Sequence, residues 1–195
     1  LGDVYKRQSE DTMCTLTAAG TDSEGRKVGI TAGHCGNVGD PVSSADSWQV
    51  GPTGTLVSKN TYLDYSLIEF GSDAEVTRSY NGVTAYGVGG TTKPGDVTCK
   101  RGVATGTTCG ATFQHGKQIS VSQVCAMVGD SGAPVFRNGR IVGSVSRGLF
   151  PGLPSCRTPW QGALHNPTVV ANTDAIIADL NRREGVGSGF TLPEN

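Results

Sequence analysis

Short segments with the character of β-strands recur along this chain, and each is bounded by Gly, Pro, Asn or Asp. They cover residues 26–33, 54–58, 64–70, 117–125, 133–137 and 139–146. A series of short strands separated by turn residues is typical of β-sandwiches and β-barrels. The 29 glycines among 195 residues are about twice the usual frequency of roughly 7%, as many tight turns require. We therefore expect an all-β fold.

One stretch has helical character, near the end of the chain. Its apolar residues share one face, an acid occupies the first turn and two arginines occupy the last, as helix termini favour. These residues are Ala175, Ile176, Ile177, Leu180, Asp174, Arg182 and Arg183, with Asn172 or Thr173 as the cap. The sequence predicts an α-helix over about residues 172–184.

Charge and hydropathy exclude several classes of protein. The formal net charge is −1 and no run of Lys and Arg exceeds two residues, so the positive field that a phosphate backbone needs is missing. Nowhere do about 18 apolar residues follow one another, as a membrane span requires. A chain of 195 residues can bury a core of its own. We expect a monomer that binds neither nucleic acid nor membrane.

Six cysteines are present and none forms a C-x-x-C pair of the kind that suggests zinc or redox chemistry. They are Cys14, Cys35, Cys99, Cys109, Cys125 and Cys156. An even number without such pairs indicates a disulfide framework, which persists in oxidising compartments and so predicts a secreted, extracellular protein. Spacing alone leaves 15 pairings open.

The chain begins with LGDVYKRQ, residues 1–8, without Met and without the pattern of an export signal. We interpret these residues as a translated sequencing-adapter tail and leave them out of the fold argument. An N-terminal pro-segment outside the given sequence stays open.

The hexapeptide GDSGAP, residues 129–134, raises the question of a nucleophile, although its residue types also dominate ordinary turns. A serine hydroxyl needs a base and an orienting carboxylate to attack at neutral pH. His34 follows one predicted strand and Asp64 begins another, so the chain order is His, Asp, Ser131. The α/β-hydrolases run Ser, Asp, His and require G-x-S-x-G, which this chain lacks.

Three motifs resemble the chymotrypsin-like serine peptidases, most closely the secreted actinobacterial branch of the streptogrisin and α-lytic type. They are TAGHC at 31–35, LDYSLIEF at 63–70 and GDSGAP at 129–134. The resemblance covers about residues 12–183. It implies two six-stranded antiparallel β-barrels with the active site between them, plus the C-terminal helix. A polar segment within 76–84 suggests the boundary, which gives lobes of residues 9–80 and 81–195.

The resemblance also assigns roles. Ser131 attacks the scissile carbonyl, His34 transfers the proton, and Asp64 orients the imidazole and stabilises its charged form. The N–H groups of Gly129 and Ser131 form the oxyanion hole. Where the family usually has a second Gly, this chain has Ala133, which we expect to tune packing behind Ser131.

Two further sets of residues follow from the resemblance. Asp130 is expected to be buried and paired with Lys100 or Arg101, and the cysteines to pair as 14 with 35, 99 with 109 and 125 with 156. A substrate pocket is expected from Gln123, Val124, Ser146, Arg147 and Gly148.

The expected pocket has no Asp near Gln123, so cleavage after Lys or Arg is disfavoured and an uncharged P1 residue is expected. Arg147 could instead attract an acidic side chain or narrow the cleft. We interpret His115 as a surface residue; for His165 the surface interpretation outweighs a place in the pocket. The sequence thus predicts a secreted serine endopeptidase without cofactor or metal. The alternative is a catalytically inactive binding module on the same fold, which usually lacks one triad member.

Overall fold

Most of the chain is β-structure. The computed structural model describes residues 4–7, 12–44, 51–80, 83–150, 152–153, 156, 158 and 165–194. The strands fall into two large sheets, one formed before residue 71 and one formed after residue 86. A small hairpin of β8 (Ser79–Tyr80) and β9 (Val83–Thr84) lies between them in the chain.

The first sheet has seven strands in the order β2-β1-β5-β6-β7-β4-β3. They are β1 (Val4–Arg7), β2 (Met13–Thr15), β3 (Ala18–Thr21), β4 (Lys27–Ala32), β5 (Pro41–Ser44), β6 (Gly54–Asn60) and β7 (Tyr65–Phe70). A short 3₁₀ turn, Gly33–Cys35, follows β4. The strands at the two ends of the sheet, β2 and β3, are consecutive in the chain. The two edges of this sheet therefore lie close together.

The second sheet closes into a barrel. Its order is β10-β15-β14-β11-β12-β13-β16, and β15 also pairs with β16. The strands are β10 (Gly87–Val88), β11 (Val97–Gly102), β12 (Gly106–His115), β13 (Ile119–Ser122), β14 (Pro134–Arg137), β15 (Arg140–Gly148) and β16 (Thr168–Asn172). The extra pairing makes a closed barrel of six strands, with β10 added parallel to β15. The predicted all-β fold is confirmed. The first sheet has seven strands, whereas six were expected.

Helix α1 (Thr173–Arg183) follows β16 directly and packs at the junction of the two sheets. Its buried residues Ile176 and Leu180 belong to one core cluster with Leu67 of the first sheet and Ile141 of the second. Asn172 precedes the helix without a side-chain capping bond, and Glu184, at φ 53°, ends it. The helix thus joins the two lobes through a shared apolar core.

Beyond the helix the chain returns to the first lobe. The backbones of Thr21 and Thr191 exchange two hydrogen bonds of 3.0 and 2.9 Å, and Phe190 is buried in the shared core. The tail after residue 184 therefore covers the first sheet. No helix among the described residues is long and apolar enough to cross a lipid bilayer.

Local sequence signals account for several of these elements. Asn138 and Gly139 have φ of 52° and 75°, the positive values that a two-residue hairpin turn between β14 and β15 requires. Strands β11 and β12 were not among the predicted segments, because Thr, Gly and Lys interrupt their apolar pattern. They form the hairpin that the disulfide of Cys99 and Cys109 closes.

Candidate active site

The structure brings His34, Asp64 and Ser131 into one hydrogen-bonded chain. Nε2 of His34 lies 2.8 Å from Oγ of Ser131, and Nδ1 lies 2.8 Å from Oδ2 of Asp64. With its proton on Nδ1, the imidazole accepts from the serine and donates to the carboxylate. His34 comes from the 3₁₀ turn after β4, Asp64 from the turn before β7, and Ser131 from the turn before β14. Two lobes therefore contribute to one cluster.

Asp64 is fixed by more than the imidazole. Its Oδ1 accepts from the backbone N–H of His34 at 2.8 Å, and its Oδ2 accepts from the Ser146 hydroxyl at 2.7 Å. Burial would raise the pKa of Asp64, but the hydrogen bonds from His34 and Ser146 and the imidazole's charge lower it below its usual value. The carboxylate is therefore ionised at neutral pH and available to stabilise an imidazolium. Ser146, assigned from the sequence to the pocket, also holds Asp64.

The loop that carries Ser131 has two glycines with positive φ, Gly129 at 102° and Gly132 at 86°. A Cβ on Gly132 would lie 2.3 Å from the carbonyl oxygen of Thr15, so the close approach of this loop to the first lobe excludes any side chain. Neither Gly129 nor Ser131 donates a backbone hydrogen bond within the part of the chain that the structure describes. Both N–H groups are available to an oxyanion.

The first lobe binds the same loop through two threonines. Thr15 donates its N–H to the Ser131 carbonyl at 2.8 Å and its hydroxyl to the Gly129 carbonyl at 2.9 Å. Thr17 donates its hydroxyl to the Gly132 carbonyl at 2.6 Å. Since each of these donors is buried, the nucleophile loop has a fixed position relative to the lobe that carries His34.

Asp130 is fully buried and is surrounded by the β11–β12 hairpin. Its carboxylate accepts from the N–H groups of Ala104, Thr105 and Met127 at 2.9, 3.2 and 3.0 Å, and from the Thr105 hydroxyl at 2.5 Å. The ammonium of Lys100 lies 3.6 Å away, and both side chains are completely shielded from solvent.

Of the two basic residues that were expected to pair with Asp130, the structure places Lys100 beside it. Arg101 donates instead to the Thr107 hydroxyl at 3.1 Å. Burial lowers the pKa of Lys100, although the charge of Asp130 opposes that shift. Lys100 also donates to the Gly106 carbonyl at 2.7 Å, so the ion pair is built into the hairpin.

All six cysteines form disulfides, in the pairs that the resemblance implied: 14 with 35, 99 with 109, and 125 with 156. The first joins β2 to the turn of His34, and the second closes the hairpin around Asp130. Cys156, of the third, lines the cleft in front of Ser131.

A cleft of about 810 Å³ opens at the triad. Ser146, Arg147 and Gly148 line it, as expected, but Gln123 and Val124 are not among its described lining residues. Val124 is fully buried, and Gln123 donates to the His165 carbonyl at 3.2 Å. The residues that sequence reasoning missed include Tyr62, Leu63, Ala126, Met127, Val128, Asn166 and Val169.

Three other predictions can be compared with the structure. His165 is 8% exposed and bonds the Asn166 carbonyl at 2.9 Å, so the surface interpretation was wrong. His115, interpreted as a surface residue, is half-buried, and its Nδ1 lies 2.9 and 2.8 Å from the hydroxyls of Thr92 and Ser120. Ala133 is fully buried in the second barrel's core, so its methyl lies behind the nucleophile.

Among the residues that the structure describes, no group of three or more His, Cys, Asp or Glu side chains is placed to hold a metal ion. The imidazole of His34 and the carboxylate of Asp64 are instead paired with each other. What the site offers chemically is a polarised hydroxyl, a base, an ionised carboxylate and two free N–H groups beside an open cleft.

Comparison with known protein sequences finds two relatives. No family model matches the sequence. Two proteins of Mycobacterium tuberculosis, both described as uncharacterized, are 29% identical to the chain over 150 residues, which are 66% of this chain and 63% of theirs. The match thus spans less than two thirds of the length of these relatives.

Solved structures match over nearly the whole chain. Nocardiopsis protease superposes with a TM-score of 0.70 and 24% identity, covering 91% of this chain and 94% of that one. Thermobifida fusca protease A superposes with a TM-score of 0.72 and 22% identity, covering 92% and 94%. The chain therefore has the chymotrypsin-like protease fold in its actinobacterial form, and the resemblance noted in the sequence is confirmed at the level of the fold.

Proposed function

We propose that this protein is a secreted serine endopeptidase that hydrolyses polypeptides through Ser131, His34 and Asp64. The observation that carries the proposal is the hydrogen-bonded chain from the Ser131 hydroxyl through His34 to Asp64, with both contacts of the imidazole at 2.8 Å. An activated serine can react only where a substrate carbonyl can reach it. The open cleft at the same residues therefore supports the proposal as well.

Each group has a defined part in the reaction. Ser131 Oγ bonds to the scissile carbonyl carbon as its proton passes to Nε2 of His34, and the carbonyl oxygen gains the negative charge. The N–H groups of Gly129 and Ser131 stabilise that charge, each worth about 3–4 kcal/mol in comparable sites. His34 then protonates the departing amine. A water molecule attacks the acyl-enzyme in the same way and restores Ser131.

Asp64 remains a carboxylate throughout. Its two oxygens accept from the ring and the backbone of His34, which fixes the tautomer with the proton on Nδ1. The imidazolium that forms during attack is stabilised by the same contacts. The low pKa of Asp64 is consistent with this part.

A fluorophosphonate probe tests the proposal, because it bonds covalently only to an activated serine. We expect rapid labelling of the wild type and none of Ser131→Ala. Ser72→Ala is a matched control, since Ser72 is an exposed serine whose hydroxyl donates to Asp73 and not to a triad residue. A folded wild type that is not labelled would instead support the inactive binding module.

Substrate preference is proposed from the lining of the cleft. Exposed apolar side chains flank it, with Tyr62 76% and Val128 94% exposed. Arg147 is exposed at the cleft and forms no ion pair within the described residues. We therefore expect an uncharged P1 residue together with an acidic side chain elsewhere in the substrate, within reach of Arg147.

A library of peptides tests that preference. The wild type is expected to cleave after uncharged residues and to favour Asp or Glu at another position, and Arg147→Gln to lose the second preference alone. Strong cleavage after Lys or Arg would contradict the P1 expectation. An unchanged acidic preference in Arg147→Gln would show that Arg147 does not read the substrate.

Secretion is proposed from the three disulfides, because such bonds persist in oxidising compartments. The protein is proposed to act as a monomer, with a first lobe of residues 9–80 and a second of residues 81–195. Strand β1 precedes the first range but pairs with β2 and β5 of the first sheet. Both lobes are needed for the site, since His34 and Asp64 come from one and Ser131 from the other.

A further inference from the structure

One buried carboxylate outside the triad is connected to it through the backbone. Asp179 lies on the second turn of α1 and is only 8% exposed. Its Oδ2 accepts from the Tyr65 hydroxyl at 2.5 Å and from the Asn60 side-chain amide at 2.9 Å. Arg183 pairs with the same oxygen at 2.9 Å, and Arg182 pairs with the other. Two of these partners belong to the first lobe, although the helix follows the second.

Asn60 and Tyr65 are the residues at the two ends of the turn that carries Asp64. They face each other as paired residues of β6 and β7. The side-chain oxygen of Asn60 accepts from the N–H groups of Tyr62 and Leu63, both at 3.0 Å. The two polar atoms of the Asn60 amide therefore have different roles. Its oxygen shapes the turn, and its nitrogen donates to Asp179.

The turn needs such support because Asp64 has a left-handed backbone, with φ of 53°. A residue with a side chain rarely adopts that conformation, and it persists only where the surroundings impose it. Asp179 binds the first and the last residue of the turn at once. It also fixes which way the Asn60 amide faces, since only the nitrogen can donate to a carboxylate.

We infer that Asp179 is a positioning residue for the proposed catalytic carboxylate, acting on Asp64 through Asn60 and Tyr65. This inference rests on the proposed serine peptidase function. Burial would raise the pKa of Asp179, but the bonds from Tyr65, Asn60 and Arg182 and the charge of Arg183 bring it to about 2. The carboxylate is thus ionised wherever the enzyme would work.

The effect of Asp179 should appear in the chemical step. In Asp179→Asn the side chain keeps its size but loses its charge, and the turn can relax, which tilts Asp64 away from His34. We expect the maximal rate of fluorophosphonate labelling to fall about tenfold to a hundredfold, in the range that small misplacements of catalytic groups produce. The probe concentration at half-maximal rate should not change, because Asp179 does not touch the cleft.

A second background separates positioning from general support of the fold. If Asp179 acts through Asp64, then Asp179→Asn should reduce labelling no further once Asp64→Asn is present, because there is no carboxylate left to place. A residue with a merely structural role would reduce it equally in both backgrounds. Asp174→Asn is the matched control, since Asp174 is an exposed aspartate on the same helix, and it should label at the wild-type rate.

The outcomes are distinct. Wild-type labelling together with an undiminished rate in folded Asp179→Asn would overturn this inference and leave the proposed function standing, as would an equal loss in the Asp64→Asn background. No labelling of folded wild type would overturn both. If Asp179→Asn does not fold, Tyr65→Phe takes its place in both backgrounds, because it removes one bond to Asp179 while keeping the buried ring.

Discussion

Each side of the proposed catalytic centre contains a buried aspartate, and the two aspartates differ in where their hydrogen-bond partners come from. Asp130, beside the nucleophile, takes its bonds from one hairpin and one loop of its own lobe. Asp179, behind Asp64, takes two of its bonds from the other lobe. The first is completely shielded from solvent and the second is 8% exposed.

The backbone that each carboxylate supports is similar. Asp130 lies between Gly129 and Gly132, which have positive φ, and Asp179 supports the turn in which Asp64 has positive φ. The comparison indicates that the Asp130 carboxylate is held within its own lobe, while the backbone of the Ser131 loop also accepts hydrogen bonds from Thr15 and Thr17 of the first lobe. The acid side is shaped by docking of α1 on the first lobe. Disturbing the contact between lobes should therefore affect Asp64 before it affects the geometry around Asp130.

The largest effect is expected from Asp130→Asn. The change leaves the ammonium of Lys100 buried without a counter-charge, and loss of one partner of a buried pair typically costs about 3–5 kcal/mol. The oxyanion donors are on the same loop, so labelling should fall by at least about a hundredfold. Urea unfolding and fluorophosphonate labelling measure the two effects. Asp73→Asn, at an exposed aspartate, should change neither.

Opening the disulfide beside Asp130 should have the next largest effect. Replacing both Cys99 and Cys109 with Ser releases a loop with a sequence separation of 10 residues. On the loop-entropy relation this costs about 3 kcal/mol. The loss should be seen in urea unfolding. If the nucleophile side is independent of α1, the loss should be the same whether or not Asp179→Asn is present, and a strong coupling between them would contradict the comparison.

Acid should reveal the contribution of Asp179. Its pKa is about 2 in the folded protein against an ordinary value of 3.8. A carboxyl group with a lowered pKa contributes stability that is present above its unfolded pKa and is lost as the pH falls toward its folded value. We expect about 2 kcal/mol of unfolding free energy to disappear between about pH 4 and pH 2. Asp179→Asn should lack this part of the loss, as urea unfolding at each pH would show.

Tyr65→Phe should have the smallest effect. It removes the hydroxyl that donates to Asp179 and keeps a ring that is completely buried. Only one partner of Asp179 is lost, since the Asn60 amide and the two arginines remain in place. Labelling should fall less than in Asp179→Asn. A larger fall would indicate that the hydroxyl, rather than the carboxylate, fixes the turn.

The sequence allowed prediction where its signals are local or strongly patterned. The all-β class followed from short segments between turn residues, and α1 from the apolar face that includes Ile176 and Leu180. The order His34, Asp64, Ser131 singled out three residues that the structure brings together. Motifs carried this prediction, because no single residue among them differs chemically from other histidines, aspartates or serines.

What the sequence did not reveal depends on distant contacts. Asp179 is a charged residue near the end of a helix, where exposure is the rule, and its burial depends on Asn60 and Tyr65, more than a hundred positions earlier. The cleft was placed partly on Gln123 and Val124, whereas Ala126, Met127 and Val128 line it. His165 carries no sequence signal for burial, and its backbone carbonyl is bound by Gln123, which lies more than forty positions earlier.

The position of Asp179 along the chain has a consequence for how the molecule matures. A ribosome produces His34, Asp64 and Ser131 well before α1, and the turn that carries Asp64 has no partner on the helix until that helix has docked. A newly made chain would therefore contain His34, Asp64 and Ser131, yet it would lack the final geometry of the turn that carries Asp64 until α1 had docked. Under the proposed peptidase function, the unfinished chain would not yet be able to cleave its neighbours during that interval.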